Sequence, residues 1–564
     1  MSIHNKHIDA LPILLLTSYG VILPFGVAIL PEYEILTISA MWLSLALCLL
    51  NICRTKHTIS ITLTDIVVIL WYIYDVLNMI IIRNNQVDSL IYYQWAVWGM
   101  IYIIARQVKD AHLLWLLYAL SLSGVIQSIV GLLQYINVIS NNWYSDFKVT
   151  GCFGNPGPWG GYLSVTFIAT SCLFLRKKRL LWRTGTTIAL LLIGSMLIYA
   201  DSRAAWLATL VALLYLGSHL GLQKFCYKRM FLVTLAVFVM IIMAVLYFYK
   251  PVSADSRLLI WRNSYAMFSD APICGHGVGS FAMKHMTYQA DYFEQYPESR
   301  FASLADNNTR AFNELIAVFC EQGMIGGILV LFIIGMAFLC KRSVGLKSIF
   351  LSVCVFACFS YSGDILPLSI LFFLCIGLLP GKVMMRFRMR KAVTISLLVL
   401  LASICIYFSI GFRRHYRQAF EQLKKDEPQL VLPYNKQYMS RYLKLLLERK
   451  RWKEFIYWST NTDFPFVTST LQCDIGKSYM QLGKAELAEQ ALKKAYWMVP
   501  SKVLPRYFLF LLYRDTGRHS DARRMAEEIV TMKVSQIGSV YLSARTEARS
   551  FLEADSNIQP SLSP

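Results

Sequence analysis

Runs of predominantly apolar residues, each long enough to cross about 30 Å of hydrocarbon at 1.5 Å per residue, recur along the chain from Leu11 to Ile410 and then stop. They predict transmembrane helices at roughly 11–30, 35–52, 62–82, 88–105, 112–134, 158–175, 186–200, 203–220, 230–249, 313–339, 348–361, 364–380 and 392–410. The first run holds Pro24 and is followed by no small-residue cleavage site before the second, so it reads as a helix and not as a signal peptide. From Arg413 onward the apolar positions fall on one face of mixed-charge helices. The chain therefore reads as an all-α polytopic membrane protein of about 13 spans, residues 1–411, followed by a soluble helical domain, residues 412–564. A large loop, at about 250–312, interrupts the membrane part.

The soluble part carries a repeat. Tyr479, Gly483 and Ala488 recur as Tyr513, Gly517 and Ala522, each 34 residues later, which is the period of the tetratricopeptide helix–turn–helix unit. Glycine at the turn and alanine at the helix crossing let paired helices pack closely, and Pro500 ends the second helix of the first pair. LGKAELAEQALKKAYWMVP resembles such a repeat, and TGRHSDARRMAEEI resembles a second copy. Because this region lacks a cluster of ionisable residues with the look of a buried site, it is expected to aid acceptor capture and to take no part in the chemistry.

Composition agrees with the membrane reading: 56% of residues are hydrophobic and 16% charged, with a mean hydropathy of +0.47, against about 25% charged in soluble domains. The net charge of +21 is spread over alternate loops, with basic groups at Arg54/Lys56, Arg106/Lys109, Arg176–Arg183, Lys224–Arg229, Lys341–Lys347 and Lys382–Lys391. Short loops rich in Lys and Arg stay on the cytoplasmic side, which puts the amino terminus inside and, after an odd number of spans, the tail outside. The charge is a topology and lipid-headgroup signal, and its dispersal speaks against nucleic-acid binding. Most of the thirteen cysteines lie in apolar runs; Cys152, Cys274 and Cys473 fall on the outer, oxidising side, which leaves a Cys152–Cys274 disulfide open. No Cys/His grouping points to a metal.

Four polar clusters share the outer side, where ionisable residues near hydrocarbon are functional candidates. The first, GCFGNPGPWGGYL at Gly151–Leu163, includes Asn155 and has the glycines and prolines of a sharply turned backbone. The second is Asp201-Ser202-Arg203 between two spans; Arg203 reads either as an interfacial snorkelling residue or as an anion ligand. The third, in the large loop, places Arg257 and Arg262 about Trp261 ahead of PICGHGVGSF, which holds His276. The fourth, ADNNTRAFNELIAVFCEQGMIGG, holds Asp306, Asn313, Glu314 and Glu321, the last reading equally as anchor or as active carboxylate.

These clusters, in this order and ahead of a repeat tail, resemble the O-antigen ligase superfamily, which includes lipopolysaccharide O-antigen ligases, bacterial protein O-oligosaccharyltransferases and related polymerases. The resemblance implies a membrane glycosyltransferase of the bacterial inner membrane. It would pass a glycan from an undecaprenyl diphosphate carrier to an acceptor hydroxyl, on protein Ser/Thr or on lipopolysaccharide core, at the periplasmic face. Neither metal nor other cofactor is implied. The departing diphosphate needs positive charge, for which Arg203, Arg257 and Arg262 are of the fitting type, with Asn155, Asp306, Asn313 and Glu321 in support. The acceptor's proton needs a base. Where the family often has histidine before the Asn of the fourth motif, this chain has Phe312, so the base falls to His276, Glu314, Asp306 or His285, with His276 and Glu314 foremost. A polymerase joining carrier-linked repeat units would use the same donor. A transporter is disfavoured because no internal symmetry of interrupted helices is visible, and a non-catalytic scaffold leaves the outer arginines unexplained.

Overall fold

The computed structural model describes residues 59–106, 113–140, 147–176, 179–219, 228–387, 417–425, 430–460, 464–532 and 538–558, with a few isolated residues between them. The expected spans at 11–30 and 35–52 lie outside the described residues, as does most of 392–410. The other ten expected spans fall on helices: α1 (Leu63–Ile81), α2 (Ser89–Arg106), α3 (Leu113–Tyr135), α4 (Pro156–Arg176), α5 (Leu180–Tyr199), α6 (Arg203–His219), α7 (Lys228–Tyr249), α10 (Glu314–Leu339), α11 (Val344–Ala357) and α12 (Leu366–Leu378). Among the described residues, α1, α3, α4, α5 and α10 are long and apolar enough to cross a membrane. The protein is an all-α membrane protein in its main architecture.

Helix α4 forms the middle of the bundle. Pro156 begins it, and Leu163, Val165, Ile168 and Ala169 are fully enclosed by α3, α5, α6 and α11. The glycines of the first motif permit that closeness: a Cβ on Gly161 would stand 2.4 Å from the Phe356 ring. The turn before α4 is held by Gln134, whose Oε1 accepts from the Thr150 and Gly151 amides and whose Nε2 donates to the Gly151 carbonyl. This motif is thus a packing device. Cys152 and Cys274 are free thiols, so the disulfide left open above is not formed.

A feature the apolar pattern did not show is a two-stranded antiparallel ribbon, β1 (Ile59–Thr62) with β2 (Val383–Phe387), which ties the start of α1 to the chain after α12. Thr62 and Asp65 form a capping box for α1, and Asp65 also takes the Arg106 guanidinium at 2.7 Å. Arg342 donates to the carbonyls of Leu378 and Val108 at this same end. The basic loop residues that are described gather here, at the end of the bundle opposite the four polar clusters.

The large loop is itself helical: α8 (Pro251–Asp270) and α9 (Phe281–Gln295). The tail follows as α13 (Lys436–Glu448), α14 (Trp452–Ser459), α15 (Ser469–Gln481), α16 (Ala485–Met498), α17 (Val503–Asp515), α18 (His519–Thr531) and α19 (Ser539–Ile558). The α15/α16 pair recurs as α17/α18, each helix starting 34 residues after its counterpart. Gly483 and Gly517 both take positive φ at the pair turns. The tail packs on the large loop through a shared apolar core of Leu259, Met286, Phe293, Met498 and Val499.

Helix α10 carries the decisive irregularity. At Gly323 the backbone takes φ 65°, ψ −163° and the helix breaks. A break inside a membrane helix frees backbone groups that water cannot satisfy, each costing about 1–3 kcal/mol if left unpaired. The chain from Pro272 to Gly277 splints it: the His276 and Gly277 amides donate to the carbonyls of Cys320 and Glu321, and the Met324 and Ile325 amides donate to Pro272 and Ile273. Tyr74 of α1 donates to the Gln322 carbonyl at 2.6 Å. Gly323 is required twice over, since a Cβ there would sit 2.2 Å from the Ile273 carbonyl oxygen. Gly323→Ala should lower unfolding stability in detergent by on the order of 1–3 kcal/mol or more; an unchanged melting temperature would contradict this account of the break.

Candidate functional site

Around the break, the end of the bundle that carries the large loop opens into two adjoining chambers. The deeper one, of about 400 Å³, is walled by apolar groups, with Trp71, Trp95, Trp98, Phe372 and Phe373 prominent. The outer vestibule, of about 370 Å³, is polar and holds Arg83, Arg310, Asp364 and Lys436. Glu314 and Glu321 line both. They stand two turns apart on α10, as their spacing of seven requires.

The two carboxylates are held differently. Glu321 accepts the Gly279 amide at Oε2 and the Phe281 amide at Oε1, both near 3 Å. It thereby caps the amino-terminal end of α9 with negative charge where the helix dipole favours it. Glu314 accepts only the Gly363 amide, at Oε1 and 2.7 Å; its Oε2 has no hydrogen-bond partner among the described residues. Asn313 caps α10 by accepting the Ile316 amide. Asn155 likewise holds a turn, accepting the Gly157 amide at 2.8 Å, and lines neither chamber. Asp306 pairs with Lys502 of the tail at 3.1 Å.

His276 is kept out of the chambers. Its Nε2 bonds the Met267 carbonyl at 2.8 Å, and its Nδ1 meets the Lys284 ammonium at 3.0 Å. Burial and the Lys284 charge hold the imidazole below its ordinary range. With both ring nitrogens engaged, it serves the splint and is poorly placed to take a proton from a substrate. His285 is wholly enclosed between α8 and α9, stacked on Phe281.

A separate cleft, of about 620 Å³, lies beyond Phe312 and holds Lys250, Ser253, Arg257 and Asn308. Arg203, at the start of α6, donates to the carbonyls of Leu246 and Lys250 and to Ser253 Oγ, so it closes the carboxyl-terminal end of α7. Arg257 lies over the Phe312 ring, 5.8 Å from its centre, with no carboxylate partner among the described residues. Dehydration, with the Arg203 charge beside it, brings Arg257 to about 10, low for a guanidinium but still protonated at neutral pH. Arg257 thus places a guanidinium charge in a cleft that Asp306 also lines, with the Arg203 charge beside it. Arg262 does not join them. It lies over Tyr292 and Tyr296 of α9, because five helical residues turn it by about 140° from Arg257.

Phe312 lines both the vestibule and the cleft. It has φ 51°, sparsely populated for a bulky side chain, and its ring meets Tyr361 edge-on. It stands between the chamber of Glu314 and the cleft of Arg257. The residues missed in the sequence are Arg83, which lies at the end of a span, Arg310, which ion-pairs Asp364 at 2.5 Å, and Lys436. The tail therefore reaches the vestibule through Tyr434 and Lys436.

Comparison with known proteins gives one family: residues 188–331 match the O-antigen ligase family model, which bears out the resemblance to that superfamily; the first motif and the repeat tail lie outside the match. The match covers the arginine cleft, the splint and Glu314 and Glu321, and carries O-antigen ligase-like glycan transfer at a coarse level. No curated protein matches the chain.

The enclosed histidine gives a pH signature. Burial holds His285 at about 4, against an ordinary 6.5. The folded state refuses a proton that the unfolded chain accepts, so this contribution is full above 6.5 and is lost as pH falls towards 4. The melting temperature in detergent should drop between pH 7 and 4.5, and His285→Phe should flatten that slope. An equal slope in both proteins would rule out His285 as its source.

Proposed function

We propose that this chain, whose residues 188–331 match the O-antigen ligase family model, transfers a glycan from an undecaprenyl diphosphate carrier to an acceptor hydroxyl, on protein Ser/Thr or lipopolysaccharide core, at the periplasmic face of the bacterial inner membrane. The observation that carries this reading is the unmatched Arg257 beside Arg203, separated only by Phe312 from a chamber holding the half-satisfied carboxylate of Glu314. Arg257 receives the diphosphate, with Lys250, which is ion-paired to Asp201, at the edge of the same cleft. Arg203 adds its charge while fixing the end of α7, and the lipid-facing Val245 and Phe248 of α7 offer an apolar track for the isoprenoid.

The acceptor hydroxyl reaches the anomeric carbon from the vestibule. Glu314 Oε2 takes its proton, the acceptor oxygen bonds the anomeric carbon, and the bond from that carbon to the diphosphate oxygen breaks. The electron pair stays on the diphosphate, where the guanidinium charge stabilises it. Glu321 keeps the loop and α9 in place. The tail, whose paired helices suit a tetratricopeptide-like domain, stands on the same outer side.

A second reading, a polymerase that joins carrier-linked units, draws support from the apolar chamber behind the vestibule, which suits an acceptor borne on a lipid.

With purified protein and carrier-linked oligosaccharide, Arg257→Ala should cost on the order of a hundredfold in transfer rate, by analogy with loss of one charge-stabilising donor. Arg257→Lys should recover part of it, and Glu314→Gln should abolish the base. Arg262→Ala should stay within a few-fold of the parent. Near-normal transfer by Arg257→Ala would remove the cleft from the reaction.

A further inference from the structure

The tail meets the membrane part in two ways. One is the apolar core it shares with α8 and α9, reinforced by backbone and side-chain bonds such as Val467 to Ala282 at 3.1 Å and Gln289 to the Met498 carbonyl. The other is a small polar hook at the start of α13, and it has no evident purpose if the tail only recruits. Asn435, buried to 3% exposure, caps α13 by accepting the Tyr438 amide and donates from Nδ2 to Asp88 at 3.0 Å, in the segment joining α1 and α2. The hook thus reaches past the large loop to the bundle itself.

Its consequence is the position of the next residue. Lys436 stands in the vestibule wall with Tyr434, across from Arg310 and Glu314. Its Nζ touches Thr309 Oγ1 at 3.1 Å and no carboxylate within ion-pair distance among the described residues. The other two cations of the vestibule are committed: Arg310 to Asp364, and Arg83 to the Gln86 carbonyl and to the field of Glu321. An ammonium has three donors, and a neutral hydroxyl uses one. Lys436 also lies over the Phe466 ring, 5.7 Å from its centre, in the fields of Arg310 and Asp364.

We propose that Lys436, carried into the vestibule by the tail, donates to an oxygen of the acceptor glycan, so that the tail forms one wall of the acceptor site. This rests on the vestibule being the acceptor side of the transfer described above, and of the acceptors named there it selects the one that is itself a glycan. The ligand chemistry is an oxygen-rich sugar, a hydroxyl or an acidic substituent being equally served by an ammonium. Asn435 is a positioning residue that acts through Lys436.

The test uses the full-length protein in proteoliposomes with purified carrier-linked oligosaccharide in excess and, as acceptor source, a membrane extract from a strain lacking this protein, added in graded dilution. Lys436→Gln should need roughly tenfold more extract for half-maximal transfer, while its maximal rate and its binding of undecaprenyl diphosphate stay within about twofold of the parent. Lys436→Arg should recover most of the loss, and Asn435→Ala should reproduce it. An unchanged dependence on extract, or equal behaviour of the Gln and Arg proteins, overturns the proposal. Loss of carrier binding in Lys436→Gln overturns it too, by moving the residue to the donor side. A parent protein that binds carrier but transfers nothing from the mixture defeats the proposed function itself, and the acceptor wall falls with it.

Discussion

The break of α10 at Gly323 and its splint by Pro272–Gly277 is the constraint from which the outer half of the molecule follows. A membrane helix interrupts itself only where the freed amides and carbonyls find partners, and here they find them in one short loop and in Tyr74. That requirement fixes the loop against α10. The loop then offers the Gly279 and Phe281 amides to Glu321, which fixes the start of α9. Helix α9 carries Met286, Gln289 and Phe293 to the tail. One backbone irregularity thereby sets how the large loop and the tail meet the bundle.

It also decides which carboxylate is free to act. Two acids on one helix face look equivalent in a sequence, but Glu321 has given both oxygens to backbone amides and Glu314 only one. The same division holds for the arginines: Arg203 is consumed as a cap for α7, whereas among the described residues Arg257 meets an aromatic face and no carboxylate. The groups with spare capacity, Glu314 and Arg257, lie on opposite sides of Phe312. A left-handed backbone at that residue directs the ring between them.

Much of this was legible in the chain. Apolar run length located ten helices of the bundle, and the 34-residue spacing found the paired helices of the tail. Motif glycines announced close packing, though for Gly161 the neighbour is a phenylalanine and not a ligand. What failed did so for physical reasons. Arg262 looked like a partner of Arg257 until helical rotation separated them. His276 looked basic and accessible until both its nitrogens were seen bound. Arg83, Arg310 and Lys436 come from three distant segments, and only tertiary packing brings them to one vestibule. The β1–β2 ribbon is too short for any periodicity to announce.

The claim on which all of this converges is that carrier-linked glycan is consumed at the outer end of the bundle. Mass spectrometry of carrier lipids, lipopolysaccharide and periplasmic proteins from a strain lacking this protein measures it directly. Carrier-linked glycan should accumulate while one class of acceptor loses its sugar, and both changes should reverse on complementation with the parent but not with Glu314→Gln. Carrier pools and acceptors that match the parent strain in every fraction would contradict the account.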